Sequence, residues 1–244
     1  MKIAVIGLAA GLVYLSGCAN TKEYSRMEGK QEHRVFAEKV TIDAHMGYLL
    51  YLPEGYSREM KGWPLVLFLH GAGERGTDIE LVKKHGPPKL TEAGKQNPYI
   101  LVSPQCPADE YWSVPVLKAL LDRILETYNI DRSRIYLTGL SMGGNGTWRL
   151  ATAYPDLFAA IAPVCGWGDT STVSVLRHVP VWAFHGMKDP VVTFDRGEGM
   201  VRSLRAAGGN VRFTPYPDAG HDSWTETYRN PEFYEWLLSQ RKGG

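Results

Sequence analysis

The chain has 244 residues, of which 27 are basic and 26 acidic, for a formal net charge of +1. This balance argues against nucleic acid and against a strongly anionic partner, because both require an excess of basic side chains. A hydrophobic content of 44% and an aromatic content of 11% are sufficient for a sizeable core.

The first 18 residues predict a lipoprotein signal peptide. Lys2 gives a positive start, and an apolar run follows that is too short to span a bilayer. The run ends in Leu15-Ser-Gly-Cys18, which resembles a bacterial lipobox and implies that Cys18 is diacylated. Ala19 after it implies sorting to the outer membrane. The alternative is an ordinary secretory signal with cleavage after the small residues.

Residues 19–34 are polar and without apolar periodicity, so we expect a flexible tether there. No later segment is apolar for long enough to span a membrane, so the expected membrane contact is the lipid anchor alone. The expected location is the bacterial cell envelope, with the folded domain in the periplasm or at the cell surface. The remaining residues, 35–244, have the normal size of one α/β domain.

Strands alternate with helices along residues 35–244, which predicts a mostly parallel eight-stranded sheet covered by helices on both faces. The first two strands are expected to form an antiparallel hairpin at one edge. The predicted strands cover residues 35–42, 47–52, 65–70, 99–104, 135–139, 158–164, 181–185 and 211–216. The predicted helices cover residues 116–128, 142–154, 195–207 and 231–239.

The most informative segment is Gly139-Leu-Ser141-Met-Gly143, between the fifth predicted strand and a helix. A Gly-x-Ser-x-Gly pentapeptide in this context predicts a nucleophile elbow, in which a sharp turn exposes the serine hydroxyl at the carboxyl edge of the sheet. The alternative is a serine in an ordinary glycine turn. Because the strand and helix flank the motif as required, we interpret Ser141 as the nucleophile.

A serine nucleophile needs a base and an orienting acid, expected later in the chain in the order acid, then histidine. Asp189 follows the seventh predicted strand and His221 follows the eighth, so both fall where they are required. Asp218 and Asp222 are alternative acids, but both lie too near His221 in sequence to orient it easily. For His185, which precedes the acid, we expect a structural hydrogen bond.

An oxyanion hole is expected from two backbone N–H groups, those of Met142 and Ala72. Met142 follows the nucleophile, and Ala72 lies in the glycine-rich loop 70–76 after the continuous apolar strand 65–69. The alternative for this loop is a phosphate-binding site, but its spacing fits neither dinucleotide-binding nor P-loop patterns.

Together these motifs resemble the α/β-hydrolase superfamily, and more closely its bacterial carboxylesterase branch of feruloyl-esterase-like and polyhydroxybutyrate-depolymerase-like proteins. The branch is often labelled prolyl-oligopeptidase-like or dienelactone-hydrolase-like. The resemblance covers roughly residues 41–240 and is carried by segments 70–76, 85–89, 103–106, 139–144, 184–189 and 220–224.

The resemblance implies a serine carboxylesterase that works through an acyl-enzyme without a cofactor. Its implied substrates are small-molecule or polysaccharide-linked esters, including phenolic or acyl esters of plant polysaccharides. A serine peptidase of prolyl-oligopeptidase-like type and a non-catalytic ligand-binding lipoprotein are the alternatives. An intact set of Ser141, Asp189 and His221 argues against the last, because a binding module has no use for it.

The loops indicate how substrates reach the site. The connection from residue 165 to 179 is short, so we expect no large cap domain and an open site, whereas the long loop 71–98 is expected to form one wall of the cleft. Trp112 is interpreted as a substrate-binding residue, with packing as the alternative, and Trp224 as a packing residue.

Cys106 and Cys165 are expected to stay free and buried. In the hydrolase strand order, two strands lie between the strands that these cysteines follow. The two cysteines are therefore expected to lie about 14 Å apart. That separation exceeds the roughly 7 Å limit for a disulfide. No cluster of histidine, cysteine or carboxylate residues has the sequence spacing of a metal site.

Overall fold

The computed structural model describes residues 41–57 and 62–243. The predicted signal peptide, Cys18, the tether and nearly all of the first predicted strand therefore lie outside the described residues. Residues from Ile42 onward form one compact unit. Among the helices of the described ranges, none is long and apolar enough to cross a membrane.

The described residues form a seven-stranded sheet with strand order β1-β3-β2-β4-β5-β6-β7. All neighbouring strands are parallel except β1, which pairs antiparallel with β3. The strands are β1 Tyr48–Tyr51, β2 Trp63–Leu69, β3 Ile100–Pro104, β4 Ile130–Leu140, β5 Ala160–Val164, β6 Val181–Gly186 and β7 Val211–Tyr216. The mostly parallel sheet of the prediction is thus confirmed, with seven of the eight predicted strands in the described ranges.

Within the described ranges, six α-helices cover the sheet. They are α1 Gly86–Glu92, α2 Val114–Thr127, α3 Met142–Ala153, α4 Phe194–Ala206, α5 Trp224–Arg229 and α6 Pro231–Ser239. Short 3-10 helices lie at Ala72–Glu74, Ile79–Lys84, Pro155–Leu157 and Val173–Leu176. The connection between β5 and β6 contains only the last of these, so the described residues carry no large cap at the position where one was considered.

The sheet has a hydrophobic core on each face, because successive side chains of a strand point to opposite sides. In β2, Leu65, Leu67 and Leu69 pack with α2, α3 and α4, whereas Val66 and Phe68 pack with α5 and α6. Both sets are fully buried. This is why β2 is apolar at every position rather than at alternate ones, as expected of a central parallel strand.

The topology brings the functional candidates to one edge of the sheet. In a parallel sheet the carboxyl ends of the strands meet at the same edge, where open α/β sheets bind their ligands. Ser141 directly follows β4, while Asp189 and His221 follow β6 and β7. The loop that contains Ala72 follows β2, which lies beside β4. Four separate parts of the sequence therefore converge there.

Candidate active site

Ser141 occupies a strained turn between β4 and α3. Its backbone has φ 53° and ψ −116°, a conformation that non-glycine residues rarely adopt and that is found mostly at functional sites. The Ser141 N–H donates to the Val164 carbonyl at 3.0 Å, and the Ser141 carbonyl accepts from the Asn145 N–H at 3.0 Å. These two bonds hold the strained residue against β5 and the first turn of α3.

Glycine is required in this turn because α3 begins in contact with the strands. A Cβ atom at Gly143 would collide with the Leu69 carbonyl oxygen, and one at Gly139 would collide with the carbonyl of Gly143. At Gly144 it would lie 2.6 Å from the Val164 carbonyl oxygen. The glycines thus permit the close approach that forces Ser141 outward.

Ser141, His221 and Asp189 form one hydrogen-bonded chain. His221 Nε2 lies 2.9 Å from Ser141 Oγ, and His221 Nδ1 lies 2.8 Å from Asp189 Oδ2. In the neutral tautomer with its proton on Nδ1, the imidazole donates to the carboxylate and accepts from the serine hydroxyl. The structure therefore brings together the three side chains that the sequence predicted.

Asp189 is fixed in place from its other side. Its Oδ1 atom accepts from the N–H groups of Val191 at 2.8 Å and Val192 at 2.9 Å. The carboxylate is fully buried, whereas the His221 side chain is 20% exposed. The acid is therefore held inside the protein while the imidazole reaches solvent.

The alternative acids are engaged elsewhere. Asp218 is 93% exposed and pairs with Lys188 at 2.7 Å. Asp222 accepts from the N–H and the hydroxyl of Thr225, both at 2.9 Å, and so caps the start of α5. Neither carboxylate has a hydrogen bond to His221 among the described residues, which leaves Asp189 as the only partner acid.

His185 makes the structural contact expected of it. It is buried, and its Nε2 lies 2.8 Å from the Val192 carbonyl oxygen and 3.3 Å from Asp189 Oδ2. Burial lowers the pKa of its imidazole, although the Val192 carbonyl and the Asp189 carboxylate act in the opposite direction. His185 thus packs against the Asp189 carboxylate inside the protein and helps to hold it in place.

Ala72 and Met142 each stand at the first position of a helix. Ala72 begins a 3-10 helix, and Met142 begins α3. The first N–H groups of a helix have no acceptor within that helix, so they are available to a ligand. The α3 N-terminus also carries partial positive charge. Both features suit an oxyanion.

A buried polar network anchors the loop that carries Ala72. The Gly71 N–H donates to Glu74 Oε2 at 3.0 Å, and Gln105 Nε2 donates to the Glu74 carbonyl at 2.9 Å. Glu74 is 5% exposed. Sequence reasoning did not single out this glutamate, although a capping glutamate three residues after Gly71 is a recognisable signal.

His70 completes this network. Its Nε2 accepts from the Cys106 N–H at 2.9 Å, so its proton is on Nδ1, which donates to the Gly71 carbonyl at 2.6 Å. Burial lowers the pKa of His70 to about 4, while the Gly71 carbonyl acts in the opposite direction and the nearby charge of Arg75 lowers it further. A neutral His70 therefore links the end of β2 to the segment after β3.

Trp112 is not a substrate-binding residue, and this prediction is wrong. Only 1% of Trp112 is exposed, and its indole N–H donates to the His70 carbonyl at 3.2 Å. The rest of the ring packs against Gly146, where an added Cβ atom would lie only 2.9 Å from the indole. Trp112 therefore supports β2 and α3 from within the core.

Cys106 and Cys165 are free and buried, as predicted. Potential ligand atoms of Cys165, Asp189 and His221 lie within 4.8 Å of one another, a grouping that sequence spacing could not indicate. Burial raises the pKa of the Cys165 thiol, and a protonated thiol is a poor metal ligand. His221 and Asp189 are already bonded to each other.

Comparisons with known proteins match one family model and several esterases. A model of the dienelactone hydrolase family matches residues 32–234. The solved structure of a thermostable esterase is 36% identical with a TM-score of 0.71, covering 80% of this chain and 59% of that chain. A probable feruloyl esterase C of Aspergillus flavus is 25% identical over 187 residues, which are 74% of this chain and 68% of the relative.

A shorter match is to a putative carboxymethylenebutenolidase of Salmonella typhimurium, 35% identical over 118 residues. That match covers 43% of this chain and 42% of the relative. The chain thus spans less than half the length of this relative. It covers only 13% of another relative, a bifunctional acetylxylan esterase/xylanase of Neocallimastix patriciarum.

Replacement of Gly143 by alanine is expected to destabilise the protein by about 3 kcal/mol, because the new methyl group collides with backbone rather than with a movable side chain. Urea denaturation of both proteins measures the difference. Gly199→Ala is the matched control: its Cβ position meets only Thr170 at 3.8 Å, so alanine in this α4 position should stabilise by up to about 1 kcal/mol. Equal stability of the two variants would contradict the close-packing argument.

The buried His70 predicts a loss of stability in acid. The folded-state pKa of about 4 lies below the ordinary histidine value of 6.5, so between these values the unfolded chain binds the extra proton. The contribution of neutral His70 is full above pH 6.5 and is lost as pH falls toward 4, by about 3 kcal/mol at 1.36 kcal/mol per pKa unit. Urea midpoints from pH 7 to 4 should fall less steeply in His70→Gln. An equal slope in both proteins would contradict this assignment.

Proposed function

Because the chain belongs to the dienelactone hydrolase family, we propose that it is a serine carboxylesterase that cleaves esters through an acyl-enzyme. The observation that carries the proposal is the hydrogen-bonded chain from Ser141 Oγ through His221 to Asp189. Such a chain at the carboxyl edge of a parallel sheet has the geometry of nucleophile, base and orienting acid.

The proposed reaction begins with attack of Ser141 Oγ on the ester carbonyl carbon. His221 Nε2 takes the hydroxyl proton and later gives it to the leaving alcohol oxygen. Asp189 keeps the proton of Nδ1 in place and stabilises the imidazolium that forms. Water then attacks the acyl-enzyme, with His221 again as the base, and Ser141 leaves with its proton restored.

The tetrahedral intermediate of each step carries an oxyanion. We assign its stabilisation to the N–H groups of Ala72 and Met142, each worth roughly 3 kcal/mol in the transition state. The network of His70 and Glu74 below Ala72 supports this assignment, because preformed donors need no rearrangement during the reaction.

The substrate class proposed is an acyl or phenolic ester linked to a plant polysaccharide. The support for a phenolic acyl group is the likeness to the probable feruloyl esterase C, while the likeness to the thermostable esterase supports ester hydrolysis in general. A short connection between β5 and β6, free of a cap in the described residues, is compatible with a bulky substrate.

Ser141→Ala tests the mechanism. Because the nucleophile is lost, ester hydrolysis should fall by about 10⁴- to 10⁶-fold, while urea denaturation shows a folded protein. A fluorophosphonate should label the wild-type protein at Ser141 and leave the variant unlabelled. Ester hydrolysis by the variant at a rate comparable to that of the wild type would contradict the proposal. A wild-type protein that the fluorophosphonate does not label would also contradict it and would favour a non-catalytic binding protein.

A substrate panel separates the remaining alternatives with the same protein. It contains p-nitrophenyl acetate, butyrate and octanoate, methyl ferulate and an amide analogue. Cleavage of methyl ferulate at a rate comparable to the acetate supports the polysaccharide-linked phenolic class. Hydrolysis of the amide at rates that rival the esters would instead support a peptidase.

We also propose that the protein is anchored to the cell envelope through a lipid on Cys18, on the evidence of the Leu15-Ser-Gly-Cys18 sequence. When the full chain is expressed in a bacterium grown with labelled palmitate, label should appear in the protein and disappear in Cys18→Ala. Cys106→Ala, which changes a buried cysteine of the domain, is the control and should keep the label. Label that persists in Cys18→Ala would refute the anchor.

A further inference from the structure

Two aromatic side chains outside the proposed catalytic set continue from His221. The Trp224 ring centroid lies 5.2 Å from that of His221, with the planes at 89°. The His85 ring centroid lies 5.4 Å from that of Trp224, with the planes at 62°. His221, Trp224 and His85 therefore form a continuous row of rings from the proposed base to the loop between β2 and β3.

The position of His85 is set by the protein itself. His85 is the N-cap residue of α1, and Gly86 after it has φ +67° with its Cβ position 2.5 Å from the Phe68 ring. The Nε2 atom of His85 lies 3.8 Å from Oε1 of the Glu74 carboxylate. The other oxygen of this carboxylate accepts from the Gly71 N–H. The imidazole is thus placed before any ligand arrives, and the residue that places it also holds the loop of Ala72.

The chemistry that His85 offers follows from its surroundings. The imidazole tautomer that has its proton on Nε2, toward the Glu74 carboxylate oxygen 3.8 Å away, presents Nδ1 as an acceptor. Within residues 41–57 and 62–243, Nδ1 has no hydrogen-bond partner, and 32% of the side chain is exposed. The site therefore suits a ligand that donates a hydrogen bond, as a hydroxyl group does.

The row of rings begins at His221, the side chain that would protonate the leaving alcohol. His221 must return its proton to the leaving alcohol, so the alcohol oxygen has to lie within hydrogen-bonding reach of Nε2. We expect Trp224, whose ring contacts that of His221, to border the rest of the alcohol. Trp224, which is half-buried, contributes an apolar aromatic surface of the kind on which the C–H face of a sugar ring packs.

We propose that Trp224 and His85 form a subsite for a polyhydroxylated leaving alcohol, with a sugar ring against Trp224 and one of its free hydroxyls donating to His85 Nδ1. This inference rests on the proposed serine esterase mechanism and adds to it the alcohol half of the substrate. Glu74 is a positioning residue in it, because it touches His85 and not the sugar.

The test compares two esters of one acyl group, O-acetylated xylose and methyl acetate. His85→Phe keeps an aromatic ring beside Trp224 but removes the acceptor. The ratio of kcat/KM for acetylated xylose to that for methyl acetate should fall about three- to tenfold, the effect of one neutral hydrogen bond. The loss belongs to acylation, because the acyl-enzyme no longer contains the alcohol.

Two further variants make the result specific. His85→Gln, which can still present an acceptor, should recover part of the ratio. His178→Phe makes the same substitution at an exposed histidine before β6 and should leave the ratio unchanged. In Ser141→Ala, binding of xylobiose measured by nuclear magnetic resonance should weaken when His85→Phe is added, which reads the subsite without turnover.

The outcomes separate the subsite from the mechanism. An unchanged ratio in His85→Phe, or an equal loss on both esters, would overturn the alcohol subsite while leaving the esterase intact. The mechanism itself would fail differently, through a wild-type protein that hydrolyses neither ester and whose Ser141 is not labelled by a fluorophosphonate.

Discussion

The contact between the first turn of α3 and the carbonyl oxygens of β2 and β5 is the constraint on which the rest of the site depends. Gly143 and Gly144 let the helix start where any side chain would meet backbone. The chain must then leave β4 through Ser141 in a conformation of positive φ, held by Val164. Backbone packing thus sets the position of the Ser141 hydroxyl beside the N-terminus of α3, which begins at Met142.

A second set of contacts extends this order to the neighbouring loop. His70 and Glu74 are buried polar groups, which cost free energy unless they are bonded. His70 accepts from Cys106, and Glu74 accepts from Gly71. A buried network whose members are all bonded specifies one geometry. These contacts hold the loop within the protein. The exposed Ala72 therefore keeps its position whether or not a ligand is bound.

The sequence predicted the parts of the structure that local pattern determines. Strand β2 is an unbroken apolar run, and the elbow motif lies where it was expected, whereas β4 begins five residues before its prediction because polar residues occupy its start. Helix α1 was missed because Gly86 and two prolines open it, a composition typical of turns. Trp112 was misjudged since loop sequence does not reveal which way an aromatic ring faces. The contacts of His85 with Glu74 and Trp224 are tertiary, and no spacing could indicate them.

The surroundings of Asp189 explain how this arrangement stays rigid at an open edge of the sheet. Its carboxylate faces four nitrogen atoms, two from the backbone, one from His221 and one from His185. These neighbours leave it little freedom to rotate, so the imidazole bonded to Oδ2 is held in one orientation. With Ser141 fixed by the turn and His221 by this carboxylate, protein contacts alone set the 2.9 Å distance between them. The proposed acyl transfer needs that preorganisation, because the described part of the chain contains no large cap that could create it by closing over the substrate.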